Sequence, residues 1–156
     1  MRILVAFAYV PFLPSEGREA AHELAATLGD GGWDVALSGL PIDPAGPRTG
    51  QLLALRLLAL EAEAARLICL GSPACMLRHP DKRVWLDSAF DVPAPDASGS
   101  VRARTHAVAL EEAQLVAMTR GDGAATLLRA LAQPACVLER PASDAGWRRA
   151  AAALAG

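Results

Sequence analysis

A length of 156 residues, a net charge of −2 and three cysteines exclude several function classes at the outset. The near-balanced charge offers no electrostatic case for nucleic acid or for an anionic membrane surface. The hydrophobic fraction is 53%, with only 4% aromatic, so alanine and leucine carry the apolar content; a single domain, residues 1–156, is expected to bury roughly 68–70% of its unfolded surface.

The first element is Arg2–Tyr9 (RILVAFAY), a short, almost continuously apolar run. A strand apolar on both sides of its pleat belongs in a covered parallel sheet. A proline-rich loop follows, Val10 to Gly17, and then an amphipathic helix over about Arg18–Leu28 that stops at Gly29-Asp30-Gly31-Gly32. Ser15 suits the N-cap, and Glu16 and Glu19 suit the positive end of the helix. Asp34–Leu40 is the second strand, Thr49–Ala65 a long leucine-rich helix, and Arg66–Leu70 the third strand, ended by Gly71-Ser72-Pro73. Ala74–Arg78 reads as one helical turn, Arg83–Leu86 as the fourth strand and Phe90–Ser100 as a loop. Thr105–Ala113 reads as a helix, Gln114–Met118 as the fifth strand, Gly123–Ala132 as a helix, Ala135–Leu138 as the sixth strand, and Ser143–Leu154 as a final helix capped by Ser143 or Asp144. Strands alternating with helices imply parallel pairing through right-handed crossovers. The predicted fold is α/β, a Rossmann-like three-layer sandwich around about six parallel strands.

In such sheets ligands bind beyond the carboxyl ends of the strands. Two places therefore draw attention. The first is the loop after the first strand, with Pro11, Phe12, Ser15, Glu16 and Gly17; its bland role is helix initiation, its functional role a loop whose backbone approaches a ligand. Glu16 counts against a bound phosphate there, since like charges repel. The second is Asp87, which follows the fourth strand and can serve as a general base or simply cap a turn. His79 sits in a turn and is expected to be solvated; His22 is expected on the exposed side of the first helix, and His106 near the start of another. Neither these nor Cys69, Cys75 and Cys136 have metal-ligand spacing; Cys69 and Cys136, inside apolar runs, read as small core residues, and the compartment as reducing and cytoplasmic. GxGxxG and Walker patterns are missing, no uncharged run reaches the ~20 residues of a membrane span, and the start lacks the shape of a signal peptide. Leucines 52, 53, 55, 57, 58 and 60 cover more than one face of the predicted Thr49–Ala65 helix. The Leu52–Leu60 stretch is thus either buried on most sides or part of a protein interface.

Several stretches together resemble the N-terminal domain of glycosyltransferases of the GT-B architecture, family-4 type. They are Met1-Arg2-Ile3-Leu4-Val5 leading to Ala8-Tyr9-Val10-Pro11-Phe12; His22-Glu23-Leu24-Ala25 followed by Gly32-Trp33-Asp34-Val35; Arg78-His79-Pro80-Asp81-Lys82-Arg83-Val84-Trp85; and Glu111-Glu112-Ala113-Gln114-Leu115-Val116-Ala117. In that family this domain forms the acceptor side of a cleft, and a second Rossmann-like domain holds the nucleotide-sugar. The chain ends about where the first domain would finish. The resemblance thus implies an acceptor-binding half of a split enzyme. A separate donor-binding polypeptide would bring the nucleotide-sugar, and neither metal nor cofactor is needed. Asp87 would be the base, standing where the family often has a histidine, and Pro11, Phe12, Ser15, Glu16 and Gly17 would line the acceptor cleft. The family's adjacent glycines in the first loop are here Ser15-Glu16-Gly17. The alternative is a non-catalytic relative that stabilises or activates another protein, or self-associates, through the Leu52–Leu60 helix. A flavodoxin- or receiver-like binding module is a third reading, against which the first strand lacks a following acidic cluster.

Overall fold

A computed structural model describes residues 1–58, 60, 63–87, 101–120 and 134–156. The strands are β1 (Arg2–Tyr9), β2 (Asp34–Pro41), β3 (Arg66–Leu70), β4 (Lys82–Leu86), β5 (Leu115–Thr119) and β6 (Ala135–Leu138). They form one sheet in the order β2-β1-β3-β4-β5-β6, with every neighbouring pair parallel. Four helices are described: α1 (Glu16–Asp30), α2 (Arg48–Arg56), α3 (Val101–Glu111) and α4 (Asp144–Ala155). The expected α/β sandwich around a six-stranded parallel sheet is what forms. The predicted Phe90–Ser100 loop and the Gly123–Ala132 helix lie outside the described residues.

The period of two along each strand sorts its side chains into two cores. Leu4, Ala6, Leu67, Cys69, Val84, Leu86, Val116 and Met118 face one way, against Leu52 of α2 and Ala109 and Leu110 of α3. Ile3, Val5, Phe7, Ile68, Leu70, Trp85 and Ala117 face the other, against Ala21, Leu24 and Leu28 of α1 and Ala150 and Leu154 of α4. Each helix supplies its stripe at helical spacing. In α1 the buried positions are Gly17, Ala21, Leu24 and Leu28. In and just beyond α3 they are His106, Ala109, Leu110 and Ala113. The caps follow the sequence: Ser15 Oγ accepts from the Arg18 N–H at 3.2 Å, and Ser143 Oγ from the Gly146 N–H at 3.4 Å.

The long helix expected over Thr49–Ala65 is shorter. It ends at Arg56, and Leu57 closes it with its N–H directed to Ala54 and Leu55 carbonyls. A turn places the Glu63 N–H on the Leu60 carbonyl, and the Ala65 N–H bonds the Arg2 carbonyl, drawing the chain into β3. The return to the sheet has to begin before Arg66, and that tertiary demand overrides the leucines' helix propensity. A continuous Leu52–Leu60 helix therefore does not exist. Leu52 faces the core, Leu55 and Leu60 pack at its margin, and Leu53, Leu57 and Leu58 are exposed.

His79 is likewise not solvated. It is buried, its Nε2 donates to the Ala64 carbonyl at 3.0 Å, and its Nδ1 accepts from the Asp81 N–H at 3.0 Å. It staples the amino-terminal rim. Beside it, Asp81 pairs with Arg66 at 2.7 Å and with Arg83 at 3.4 Å, and Arg66 also donates to the Ala155 carbonyl at the end of α4.

The only lysine, Lys82, is fully buried between the 3-10 turn at Ala74–Met76 and α3. Its Nζ donates to the Ala109 carbonyl at 2.6 Å and to the Cys75 carbonyl at 3.2 Å, and Glu112 lies 3.5 Å away. Glu112 also accepts from Arg56 of α2. Burial pushes the Lys82 pKa down. For Glu112 burial acts upward, but the Arg56 hydrogen bond and the Lys82 charge outweigh it and hold the carboxyl below its ordinary value. A lowered carboxyl value means that the pairing stabilises the fold at neutral pH, and that this stability is lost as pH falls through the lowered value. Glu112→Gln is expected to cost about 2 kcal/mol at pH 7 by urea unfolding, less than the roughly 3–5 kcal/mol of a fully buried pair because Glu112 is partly exposed. The variant's stability should also fall less between pH 6 and pH 3 (roughly, the window set by an ordinary carboxylate) than the wild type's.

All three cysteines are free; Cys69 and Cys75 are buried and Cys136 is partly exposed. Burial raises all three thiols, Cys75 to about 12. A disulfide reagent is expected to titrate one thiol, Cys136, in the native protein, and all three only after unfolding. Rapid native modification of two or more would contradict the packing of β3 and the 3-10 turn.

Candidate functional site

Because all six strands run the same way, their carboxyl ends share one rim. The strand order reverses direction at β1, with β2 on one side and β3 on the other, so the loops after β1 and β3 diverge there. Three segments build a cleft at this rim, on the side of α1 and α4. They are the first two turns of α1, the end of β4, and the segment after β6 that enters α4. The cleft holds about 610 Å³ and is lined chiefly by Glu16, Glu19 and Glu23 of α1, Trp85 and Asp87 from β4, and Arg140 and Trp147 beyond β6.

Asp87 is 3% exposed. Its carboxylate accepts two hydrogen bonds from the Arg140 guanidinium, one from Nε at 3.3 Å and one from Nη2. Such a two-point fork fixes both groups. The Asp87 hydrogen bond, followed by its charge, pushes the Arg140 pKa up, and Glu16 adds to this from across the cleft. Trp85 and Trp147 meet edge to face with ring centroids 5.9 Å apart. The Trp85 indole N–H donates to Thr119 Oγ at 3.0 Å, which fixes the ring as part of the cleft wall.

Of the residues singled out from the sequence, Glu16 and Asp87 meet in this cleft; Pro11, Phe12, Ser15 and Gly17 do not line it. Ser15 spends its hydroxyl on the α1 cap, and Gly17 is buried in the first turn. Pro11 and Phe12 stand on the exposed crest of the loop, where the Leu13 N–H reaches the Val10 carbonyl at 3.2 Å. Phe12 occupies the left-handed region at φ 66°, a conformation that costs a non-glycine residue on the order of 1 kcal/mol.

Sequence reasoning missed Arg140, Trp85 and Trp147. Arg140 lies two residues past β6, so the rule that picked out Asp87 after β4 also points to it. It missed a second rim feature as well. Ser72, just after β3, lies 2.7 Å from His106 Nε2 on α3, and both are buried. Gly71 precedes this serine at φ 65°, the turn that carries the chain off the sheet. No pattern in the sequence links positions 72 and 106; only the packing of α3 over β3 joins them. A second cavity, about 620 Å³, opens at the opposite, amino-terminal rim beside His79, Asp81 and Arg83. Its polar groups are those already joined in the staple described above.

Among the described residues no three histidine, cysteine or acidic side chains gather to hold a metal ion, and no helix is long and apolar enough to cross a membrane. No family model, curated protein or solved structure matches the chain.

The fork between Asp87 and Arg140 can be measured directly. A double-mutant cycle with Asp87→Asn and Arg140→Met should give a coupling energy of about 1 kcal/mol in urea unfolding, modest because Arg140 is half exposed. Strict additivity would mean that the pair contributes nothing to holding the cleft.

Proposed function

We propose that this chain is the acceptor-binding half of a GT-B-type glycosyltransferase, working with a separate donor-binding polypeptide. The observation that carries this reading is the charge of the rim cleft. Among the described residues that line it, four carboxylates, Glu16, Glu19, Glu23 and Asp87, face one guanidinium, Arg140. A nucleotide-sugar brings a diphosphate, which such a wall repels. A neutral or cationic hydroxylated molecule is not repelled, and carboxylates accept hydrogen bonds from hydroxyls. The wall thus fits an acceptor, and the donor has to be held by a partner.

In this reading an acceptor hydroxyl hydrogen-bonds to the Asp87 carboxylate, within reach of a sugar presented by the partner. The bond between the anomeric carbon and the diphosphate oxygen breaks, the diphosphate leaves with the bonding pair, and the acceptor oxygen bonds the anomeric carbon. The hydroxyl proton passes to Asp87 as that oxygen gains positive character.

The test combines the purified chain with donor-domain glycosyltransferase polypeptides, a nucleotide-sugar and a sugar acceptor, and follows transfer. Transfer should require both polypeptides and should fall by about 100-fold or more with Asp87→Asn. Equal transfer by the variant would remove Asp87 as base, and efficient turnover by the isolated chain would remove the split-enzyme reading.

A second reading rests on a different surface. Leu53, Leu57 and Leu58 are exposed, Leu57 to 85%, on the α2 side of the sheet. A non-catalytic partner that stabilises another protein would use such a face. Sedimentation of the chain alone and with glycosyltransferases discriminates: a strict monomer with no affinity for any of them would rule this reading out.

A further inference from the structure

β2 stands at one end of the sheet, with β1 as its neighbour. We infer that its outer edge is the contact between two copies of this chain, joined antiparallel about a two-fold axis at Leu37, so that one continuous sheet runs through both.

Which backbone groups face outward follows from the ladder. In a parallel pair every second residue of a strand serves the same neighbour. The Ile42 N–H, just past β2, bonds the Tyr9 carbonyl at 2.9 Å. Counting back by twos, Leu40, Ser38 and Ala36 direct their groups to β1, and Val35, Leu37 and Gly39 direct theirs away from it. An antiparallel copy centred on Leu37 sets that residue opposite its own counterpart, Val35 opposite Gly39 and Ala36 opposite Ser38. Every outward N–H and C=O from Val35 to Gly39 is then paired. Neighbouring centres fail. At Ser38 or Gly39 they bring Pro41, which has no N–H, opposite Val35 or Leu37. At Ala36 or Val35 they bring Trp33 or Gly31 opposite Gly39, and those two N–H groups already bond the Leu28 and Thr27 carbonyls. The backbone thus accepts a second copy of itself in one register.

The side chains agree. Leu37 and Gly39 are exposed. Leu37 would meet its counterpart as an apolar cross-strand pair, Val35 would cover the bare Gly39, and small Ala36 and Ser38 suit the close approach of a non-hydrogen-bonded pair. Edges that avoid pairing are short or carry charge. β6, at the other end of the sheet, has four residues and runs straight into Glu139 and Arg140. β2 has eight, and its one charged residue, Asp34, lies at its start in an ion pair with Arg2 at 2.9 Å.

The test is sedimentation equilibrium of the purified chain, with variants at Leu37. The wild type should be a dimer. Leu37→Lys and Leu37→Glu each place like charges opposite one another and should give folded monomers by circular dichroism. An equimolar mixture of the two should dimerise at least about tenfold more tightly than either alone. Directly opposite, hydrogen-bonded residues have Cα atoms about 5.5 Å apart, within disulfide reach. Leu37→Cys should therefore oxidise to a cross-linked dimer through residue 37, mapped by mass spectrometry of its peptides. Ser38→Cys, offset from its own counterpart by two residues, should not. Leu57→Ser, on the exposed leucines beside α2, should leave the dimer intact. A wild-type monomer at all concentrations would overturn the inference. So would a dimer that survives Leu37→Lys, one abolished by Leu57→Ser, or equal cross-linking at residues 37 and 38. None of these readouts involves a sugar or a donor-binding polypeptide, so sugar transfer and self-pairing stand or fall separately.

Discussion

The structure depends on a sheet that is apolar on both faces. Along β3 every residue is buried, and β1 and β4 come close to it. A strand of that kind has no face to show water, so each side must be covered. Helices on both sides require crossovers between parallel strands, and parallel strands bring every carboxyl end to the same rim. The rim cleft thus follows from the burial of residues such as Ile3 and Leu4, which point to opposite cores. Moving a strand by one residue would exchange those cores, so the register and the position of Asp87 at the end of β4 are set together.

Within this apolar scaffold, buried charge occurs where layers have to be tied. Lys82 is wholly inside and reaches two backbone carbonyls and Glu112, joining β4, the 3-10 turn and α3; Arg56 brings α2 to the same carboxylate. Arg66 and Asp81 do the corresponding work at the amino-terminal rim, joining β3 to the end of α4. Such networks cost desolvation, and they specify which elements meet more than they add stability. Their effect on function is indirect. Among the described residues, the polar groups at the amino-terminal rim and on the α2/α3 side have internal partners, and the cleft at the carboxyl rim between α1 and α4 is lined by exposed glutamates. The contrast between the two rims is chemical as well as topological. His79, Asp81 and Arg83 satisfy one another or the backbone, whereas Glu16, Glu19 and Glu23 face open space across from Trp147.

Much of the fold was legible beforehand because it is written in local terms. Short, almost continuous apolar runs located the strands, and Ser15 and Ser143 located two helix starts through a hydroxyl that satisfies an orphan N–H. Asp87 was legible as a residue just past a strand. The misreadings share a cause. The leucines up to 60 looked helical, yet the chain leaves the helix after Arg56 so that Ala65 can bond Arg2. His79 looked like a turn residue at the surface, yet the carbonyl of Ala64, fifteen residues away, accepts a hydrogen bond from its ring N–H. Ser72 with His106, and Asp87 with Arg140, are pairs separated by 34 and 53 residues. No spacing rule links positions that far apart.

The amino-acid sequence by itself determined the parallel α/β class, the order and type of most elements, and the rule that any site belongs past the strand ends. Hydrophobic periodicity and capping act within a few residues of chain, so they are readable there. Tertiary structure alone decided which rim residues become neighbours: that Asp87 is matched by Arg140, that Glu16 faces it, and that Trp147 closes the wall beside Trp85. Those relations depend on the order in which strands pair and on which side each helix crosses, and these are properties of the packed sheet, which no local stretch of the chain encodes.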